Sequence, residues 1–460
     1  MLDDAVAFDA DLIQRYAGGG PRYTSYPTAM EFSPTVDEQT YSEWLHAGNA
    51  AARPLSLYLH IPFCAHVCYY CACNKVVTAN RGRADPYLES LFREIRLQAS
   101  LLDPDRRIEQ LHWGGGTPTF LSDTQIRALM RVLGENFRML DDDSGEYSIE
   151  IDPRELRPDT LAVLREIGFN RVSLGVQDFN PRVQQAVHRV QSEAQSLGAL
   201  RQARELGFRS TNIDLMYGLP LQTVASFAET LDAIVAARPD RLSVFNYAHL
   251  PQRFKPQRRI HESDLPDPAT RLAILSLTVE KLTAAGYRYI GMDHFALADD
   301  ELARAQRAGS LHRNFQGYST HAGADLIGMG VSAISTTPGG FCQHHTALED
   351  YCRDLRLPRL PVARGVALND DDRLRGDVIQ QLICNNRLDT SRLESTHGIR
   401  FADYFAAELE SLAGLQADGL VEMDTGQLVV TARGRLLARA ICKVFDRYRH
   451  PAEQQFSRMI

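Results

Sequence analysis

From about residue 54 to about 295, short apolar runs alternate with amphipathic stretches. Leu55–Ile61, Ile108–Trp113, Tyr147–Ile151, Arg171–Val176, Asn212–Tyr217 and Leu242–Tyr247 read as buried strands, with Tyr287–Ile290 a candidate for one more. The stretches between them repeat at helical spacing. Over Asp123–Phe137, the residues Ile126, Leu129, Met130, Leu133 and Phe137 share one face, and Ser122 is placed to cap the helix. Thr223–Ala236 repeats the pattern with Phe227, Leu231 and Ile234. Such alternation predicts parallel strands joined by right-handed crossovers. Six units fall short of the eight that close a full barrel, so an open or partial barrel is expected.

The pattern changes on both sides. Residues 1–53 read as an N-terminal arm, rich in turn formers at Gly18–Pro21 and Pro27, with no long periodic helix or strand expected. Arg22, Tyr23 and Tyr26 in it either line a site from outside or pack on the surface. Residues 54–350 form the barrel in this reading, and 351–460 a C-terminal domain. There, helices are expected near Asp371–Cys384 and Phe401–Ala417, then a hairpin over Leu420–Val430 turning near Thr425-Gly426, then a helix over Arg433–Tyr448. This order is winged-helix-like, an arrangement that often binds DNA. Yet residues 360–460 hold 13 Lys and Arg against 14 Asp and Glu, which lacks the basic footprint DNA requires. Covering the open side of the barrel is the better use.

Composition narrows the class further. The 460 residues suit two or three domains of a globular protein. No apolar run approaches the ~20 residues that span a bilayer. A net charge of −8 excludes broad attraction to nucleic acid. Nothing at the N-terminus reads as a secretory signal, so a reducing, cytoplasmic setting with cysteines kept for metal is expected; separately, the chain is expected to be a monomer.

Four of the eight cysteines crowd into one loop: Cys64, Cys68 and Cys71 in C-x3-C-x2-C spacing, then Cys73. They follow the first strand directly, past Pro62. In α/β folds the carboxyl ends of strands are where ligands bind. An ordinary iron–sulfur cluster takes four cysteines, so three thiolates leave one iron of a four-iron cluster open. Zinc is the minor alternative, with His60 or His66 completing a local site. Disulfides fit poorly, because four cysteines within ten residues close only short, strained loops.

Polar residues recur at the other strand ends. Gly114-Gly115-Gly116-Thr117 follows the second strand, where glycines admit close backbone approach and offer N–H groups. Glu150 lies in the third strand, Gln177 and Asp178 end the fourth, Arg189 follows on the next helix, and Asp214 lies within the fifth. A carboxylate in an apolar strand is costly unless it is paired or binds something. Each residue alone reads as structural; their recurrence points to one shared cavity.

The cysteine spacing after a strand resembles the radical S-adenosylmethionine enzymes. The resemblance sharpens with Arg22–Thr28, His60–Cys64, Gly114–Thr119, Gly175–Phe179, Asn212–Leu215, Gly291–Phe295, His312–Tyr318, Gly328–Ile334 and Gln455–Arg458, all in order. In these the sequence is similar to the oxygen-independent coproporphyrinogen III oxidases over nearly its whole length. That resemblance implies a partial (β/α)6 TIM-like barrel, an N-terminal arm and a C-terminal, mainly helical domain. It implies a [4Fe-4S] cluster on Cys64, Cys68 and Cys71, with Cys73 not a ligand. It implies two molecules of S-adenosylmethionine, lined by Tyr58, Tyr70, Gly115, Gly116, Thr117, Glu150, Gln177, Arg189, Asp214, Ala248 and Ile334. The reaction implied is oxidative decarboxylation of two propionates of coproporphyrinogen III, with an unidentified electron donor and acceptor. Arg22, Lys75 and Arg154 are candidate partners for the substrate carboxylates. The rival within the superfamily is a haem-binding chaperone. The Arg22–Thr28 motif and Cys73, which such carriers generally lack, favour the enzyme.

Overall fold

The computed structural model describes residues 5–16, 18–424 and 426–448. Gln455–Arg458 and Thr425 lie outside the described residues. The first strand, β1 (Leu55–Ile61), is buried at six of its seven positions and forms the middle of the main sheet. On one side it pairs in parallel with β2 (Arg107–Gly115), and the sheet continues through β3 (Glu146–Ile151), β4 (Arg171–Gln177), β5 (Ser210–Tyr217) and β6 (Arg241–Asn246). Every pairing in this series is parallel, as the alternation of strand and helix predicts. The candidate strand near Tyr287 is real: β7 (Tyr287–Gly291) and β8 (His294–Leu297) form a hairpin whose second strand adds antiparallel to β6.

The chain then crosses the open side. A two-stranded hairpin, β9 (His312–Asn314) and β10 (Gly317–Ser319), precedes β11 (Asp325–Met329), which returns to pair in parallel with β1. β12 (Ile334–Thr337), β13 (Gly340–His344) and β14 (Val362–Ala367) extend that edge antiparallel. Six β/α units therefore form a partial barrel, and the remaining strands finish its two edges.

Side-chain alternation decides what faces where. Along β2 to β6, Leu111, Trp113, Ile149, Ile151, Leu174, Ile213, Leu215 and Leu242 are buried in the core. The intervening positions are polar and in register: His112 beside Ser148, Glu150 beside Ser173, Ser173 beside Asn212, Asp214 beside Ser243. The same strands thus present an apolar face to the helices and a polar face to the barrel interior.

The expected helices form with small shifts. Asp123–Asn136 begins at a Ser122/Gln125 capping box, and Val224–Ala237 at a Thr223/Ser226 box. The arm departs from expectation. It holds a 13-residue helix, Glu38–Ala50, with Asp37 capping Thr40 N–H and with Tyr41, Leu45 and Gly48 buried. Spacing of four and three puts those residues on one face, a signal the surrounding turn formers obscured. Tyr23 and Tyr26 do not line a site: both are buried, with Tyr23 Oη donating to Asp446 and Tyr26 Oη accepting from Arg447 N–H.

The C-terminal segment has the helix Asp370–Asn385, a short strand Arg387–Asp389, and the hairpin Val421–Asp424 and Gln427–Val430, which form a three-stranded sheet. Two expected helices are interrupted. Phe401–Ala417 divides into Phe401–Tyr404 and Ala406–Ala417. The last helix spans only Ala438–Val444, after a 3-10 turn at Arg435–Leu437. Gly434 packs against the Leu420 carbonyl, where a Cβ would stand 2.0 Å away, and this close approach fixes the turn that shortens the helix. Helix Asp370–Asn385 lies behind the β9–β10 hairpin: Gln380 Nε2 donates to the Arg313 carbonyl at 2.6 Å. Among the described residues no helix is long and apolar enough to cross a membrane.

Candidate active site

A cavity of about 640 Å³ fills the barrel, within the ~300–1,000 Å³ range of small-molecule sites. Cys64, Cys68 and Cys71 line it at the carboxyl end of β1. Cys68 is buried, Cys64 and Cys71 are half-buried, and Cys73 is exposed. Cationic groups surround the thiols. Arg154 Nη2 lies 3.3 Å and Arg189 Nη1 3.4 Å from Cys68 Sγ, while Lys75 Nζ donates to the Cys71 carbonyl at 3.1 Å. Two of the suggested substrate partners, Lys75 and Arg154, thus serve the cysteine loop. This setting suits an anionic donor set of three thiolates. Among the described residues no three His, Cys, Asp or Glu side chains converge as a single-ion site. Sulfurs that ligate different irons of a cluster stand farther apart than ligands of one ion. His60 is committed elsewhere, to the Asn74 carbonyl at 2.9 Å and the Tyr58 hydroxyl at 3.1 Å, and exposed His66 sits 3.9 Å from Glu155. Neither histidine completes a zinc site.

The glycine loop works differently from its first reading. The Gly115 N–H donates to Glu150 Oε2 at 3.1 Å, the Gly116 N–H to the Ile61 carbonyl and the Thr117 N–H to the Phe63 carbonyl, both at 2.8 Å. These donors are spent inside the protein. What Gly115 and Gly116 can offer a ligand is carbonyl oxygen, an acceptor suited to an ammonium. Glycine is required for packing as well: Gly115 has φ +114°, and a Cβ on Gly116 would meet Phe63 O at 2.5 Å.

Glu150 projects into the cavity and accepts from Gly115 N–H, with His112 Nε2 3.3 Å from its other oxygen. Burial pushes its carboxyl up, but the His112 hydrogen bond and charge and the Gly115 N–H outweigh this and hold it below the usual range. Asp214 behaves oppositely. Burial first, and then the nearby Glu150 charge, push it up to about 6. Asp152 is held low: Arg189 at 3.0 Å and Arg154 at 2.6 Å overcome its burial. Burial, then the Arg313 charge, takes His294 down to about 4, so its imidazole is neutral at pH 7.

Nine of the eleven suggested S-adenosylmethionine contacts line this one cavity: Tyr70, Gly115, Gly116, Thr117, Glu150, Gln177, Arg189, Asp214 and Ala248. Tyr58 and Ile334 do not line it. Tyr58 stacks on His112 at 5.8 Å and pairs in register with Gly328, whose missing Cβ would meet the Ile334 carbonyl at 2.5 Å. Asp178 faces away, held by Thr230 and Gln222. Arg189 lies in the loop after helix Pro181–Ala186, and it pairs Asp152. Asp152, His112, Asn246, His294, Arg313 and Gln316 also line the cavity; the sequence singles out none of them as a site residue, although His294, Arg313 and Gln316 lie in the Gly291–Phe295 and His312–Tyr318 motifs. The alternating polar positions of its strand signalled His112; Asn246, His294 and Arg313 stand at or near the ends of short strands, and Asp152 and Gln316 lie outside strands, where no alternation marks them.

Four groups lining the cavity have buried atoms with no hydrogen-bond partner among the described residues: Arg189 Nε, Asn246 Oδ1, Gln316 Nε2, and Arg313 Nε and Nη1. Orphaned polar atoms around a cavity mark places for a polar ligand.

The radical SAM superfamily model matches residues 58–234, and the HemN C-terminal domain model residues 368–437. Over 458 residues the chain is 54% identical to the oxygen-independent coproporphyrinogen III oxidase of Pseudomonas aeruginosa, covering 99% of this chain and 100% of that one. It is 53% identical over 462 residues to the enzyme of that name from Escherichia coli, at 100% of both. The chain belongs to the oxygen-independent coproporphyrinogen III oxidase family. A solved coproporphyrinogen III oxidase from Escherichia coli, described as a radical SAM enzyme, matches with a TM-score of 0.92 at 51% identity, covering 97% of this chain and 100% of that one. Membership in the oxidase family favours an enzyme over the carrier reading.

Proposed function

We propose that this chain converts coproporphyrinogen III to protoporphyrinogen IX without oxygen, turning two propionates into vinyls with loss of CO2. Its cluster would be held by Cys64, Cys68 and Cys71, and its two S-adenosylmethionine molecules within the barrel cavity. The observation that carries this reading is the placement of three thiols, two guanidiniums and an acceptor-rich glycine loop around one end of a single cavity. When bound, the cluster and S-adenosylmethionine supply an electron and a 5′-deoxyadenosyl radical that takes a hydrogen from the propionate β-carbon.

The protein's own part is to bind, orient and exclude water. Gly115 and Gly116 present carbonyls to the methionine ammonium. Glu150, anionic at neutral pH, and Asp214 offer carboxylates to ammonium or ribose hydroxyls. Arg189 and Arg154 offset the thiolate charge. The β9–β10 hairpin and the helix behind it cover one side of the barrel, which helps separate a reactive centre from bulk solvent and from carbon–hydrogen bonds other than the substrate's. Each vinyl formed releases one CO2, one hydrogen atom to the deoxyadenosyl group and one electron to an acceptor.

Anaerobic reconstitution with iron and sulfide, then incubation with S-adenosylmethionine, a reductant and coproporphyrinogen III, tests this. One methionine, one 5′-deoxyadenosine and one CO2 per vinyl are expected. A cluster with tight haem binding and no vinyl product would establish the chaperone instead. Zinc without sulfide in the native protein would overturn the cluster.

A further inference from the structure

Arg313 is an anomaly. Its side chain is 5% exposed, yet it lines the cavity, and its Nε and Nη1 have no hydrogen-bond partner among the described residues. No carboxylate among the described residues forms an ion pair with it. A buried guanidinium without a counter-charge costs several kcal/mol in principle and persists where something repays it. The surrounding structure holds it in place rather than neutralising it. Its backbone is clamped to Gln380, N–H to Oε1 at 3.2 Å and carbonyl to Nε2 at 2.6 Å. Its guanidinium stands 5.0 Å over the Tyr318 ring. Beside it, His294 is neutral and offers no anion.

The other cations nearby are engaged. Arg22 pairs with Asp293, and Arg439 donates to the carbonyls of Gly20 and Pro21. The charges of Arg22 and Arg313 both bear on Arg439, so the three cations lie in one neighbourhood. At the cysteine end, by contrast, Arg189 and Arg154 already face Asp152 and Cys68. The charge without an ion-pair partner among the described residues therefore belongs to the hairpin side of the cavity, and a planar guanidinium with Nε and Nη1 unused suits a carboxylate.

We propose that Arg313 is the specificity-determining cation that receives a propionate carboxylate of the tetrapyrrole, an inference that rests on the function proposed above. Gln316 Nε2, another unpartnered donor on the same hairpin, stands ready to share that carboxylate. The hairpin thus does two things: it closes the barrel, and it carries the group that recognises what the barrel encloses.

The test measures equilibrium binding of coproporphyrin III, the air-stable oxidised form of the substrate, by fluorescence titration without turnover. Arg313→Gln is expected to weaken binding by ~10-fold or more. It should leave the cluster absorption and the affinity for S-adenosylmethionine as in the wild type. Its thermal midpoint without porphyrin should be equal or higher, because a buried unpaired charge is removed; a merely structural arginine would lower it. Arg313→Lys, which keeps the charge and loses the fork, should fall between, and it decides the matter if the glutamine variant does not fold. Unchanged porphyrin affinity in the variant that folds, or a loss confined to S-adenosylmethionine, overturns the assignment. Wild-type protein that binds no coproporphyrin III removes the parent reading and this inference together.

Discussion

Arg189 and Asp152 meet at 3.0 Å with their side chains only 7% and 12% exposed. Asp152 holds Arg154 as well, at 2.6 Å, so one carboxylate restrains two guanidiniums that both approach Cys68. Asp152→Asn preserves shape and removes the charge between two cations. It should cost about 3 kcal/mol of stability in the cluster-free protein, as breaking a buried pair does. Denaturant unfolding at pH 7 measures this. Because the pair holds the carboxyl below its ordinary range, its contribution is complete above about pH 4 and is lost as pH falls through the lowered value. The mutant should therefore show a flatter acid limb.

The cysteines separate by role. Cys68→Ser should abolish both the cluster's visible absorption and all product formation. Cys73→Ser should leave the cluster assembled, because Cys73, though it lines the same cavity, lies outside the C-x3-C-x2-C spacing. Iron and sulfide analysis after anaerobic reconstitution reads both outcomes. Loss of the cluster in the Cys73 variant would reassign the ligands.

Asp214 carries a stability cost. Its carboxyl is raised to about 6 in the folded chain from an ordinary 3.8, so the folded state binds more protons between those values. Stability should fall as pH rises from about 4 to about 6 and stay lower above. Asp214→Asn should remove that slope. It should stabilise the ligand-free protein at pH 7 by about 1–3 kcal/mol, the lower figure allowing for water in the cavity. Thermal midpoints across pH 4–8 check it, and S-adenosylmethionine affinity should fall in the same variant.

Two glycine substitutions should move in opposite directions. A Cβ at Gly116 meets backbone, Phe63 O at 2.5 Å, which cannot swing aside. Gly116→Ala should break the turn that joins the glycine loop to the cysteine loop and lower turnover by at least ~100-fold, as small displacements at a reacting centre do. Gly134 lies exposed within helix Asp123–Asn136 with nothing within 4 Å of its Cβ position. Gly134→Ala should stabilise by about 0.5–1 kcal/mol and leave turnover unchanged.

The sequence by itself determined the strands, the helices with capping boxes, and the three cysteines at the end of β1, because period, caps and thiol spacing are local properties. It pointed to Glu150 and Asp214, because a carboxylate inside an apolar strand is conspicuous wherever it stands. It obscured the arm helix Glu38–Ala50, whose apolar face is short and set among turn formers. Only the tertiary structure decided which polar groups meet. Asp152 finds Arg189 and Arg154, Glu150 takes up the Gly115 N–H, and Arg313 reaches the cavity with two nitrogens unpartnered among the described residues. Those outcomes depend on strands and loops far apart in the chain closing around one space. Whether a charge is paired there is fixed by the barrel's closure, which no single segment encodes.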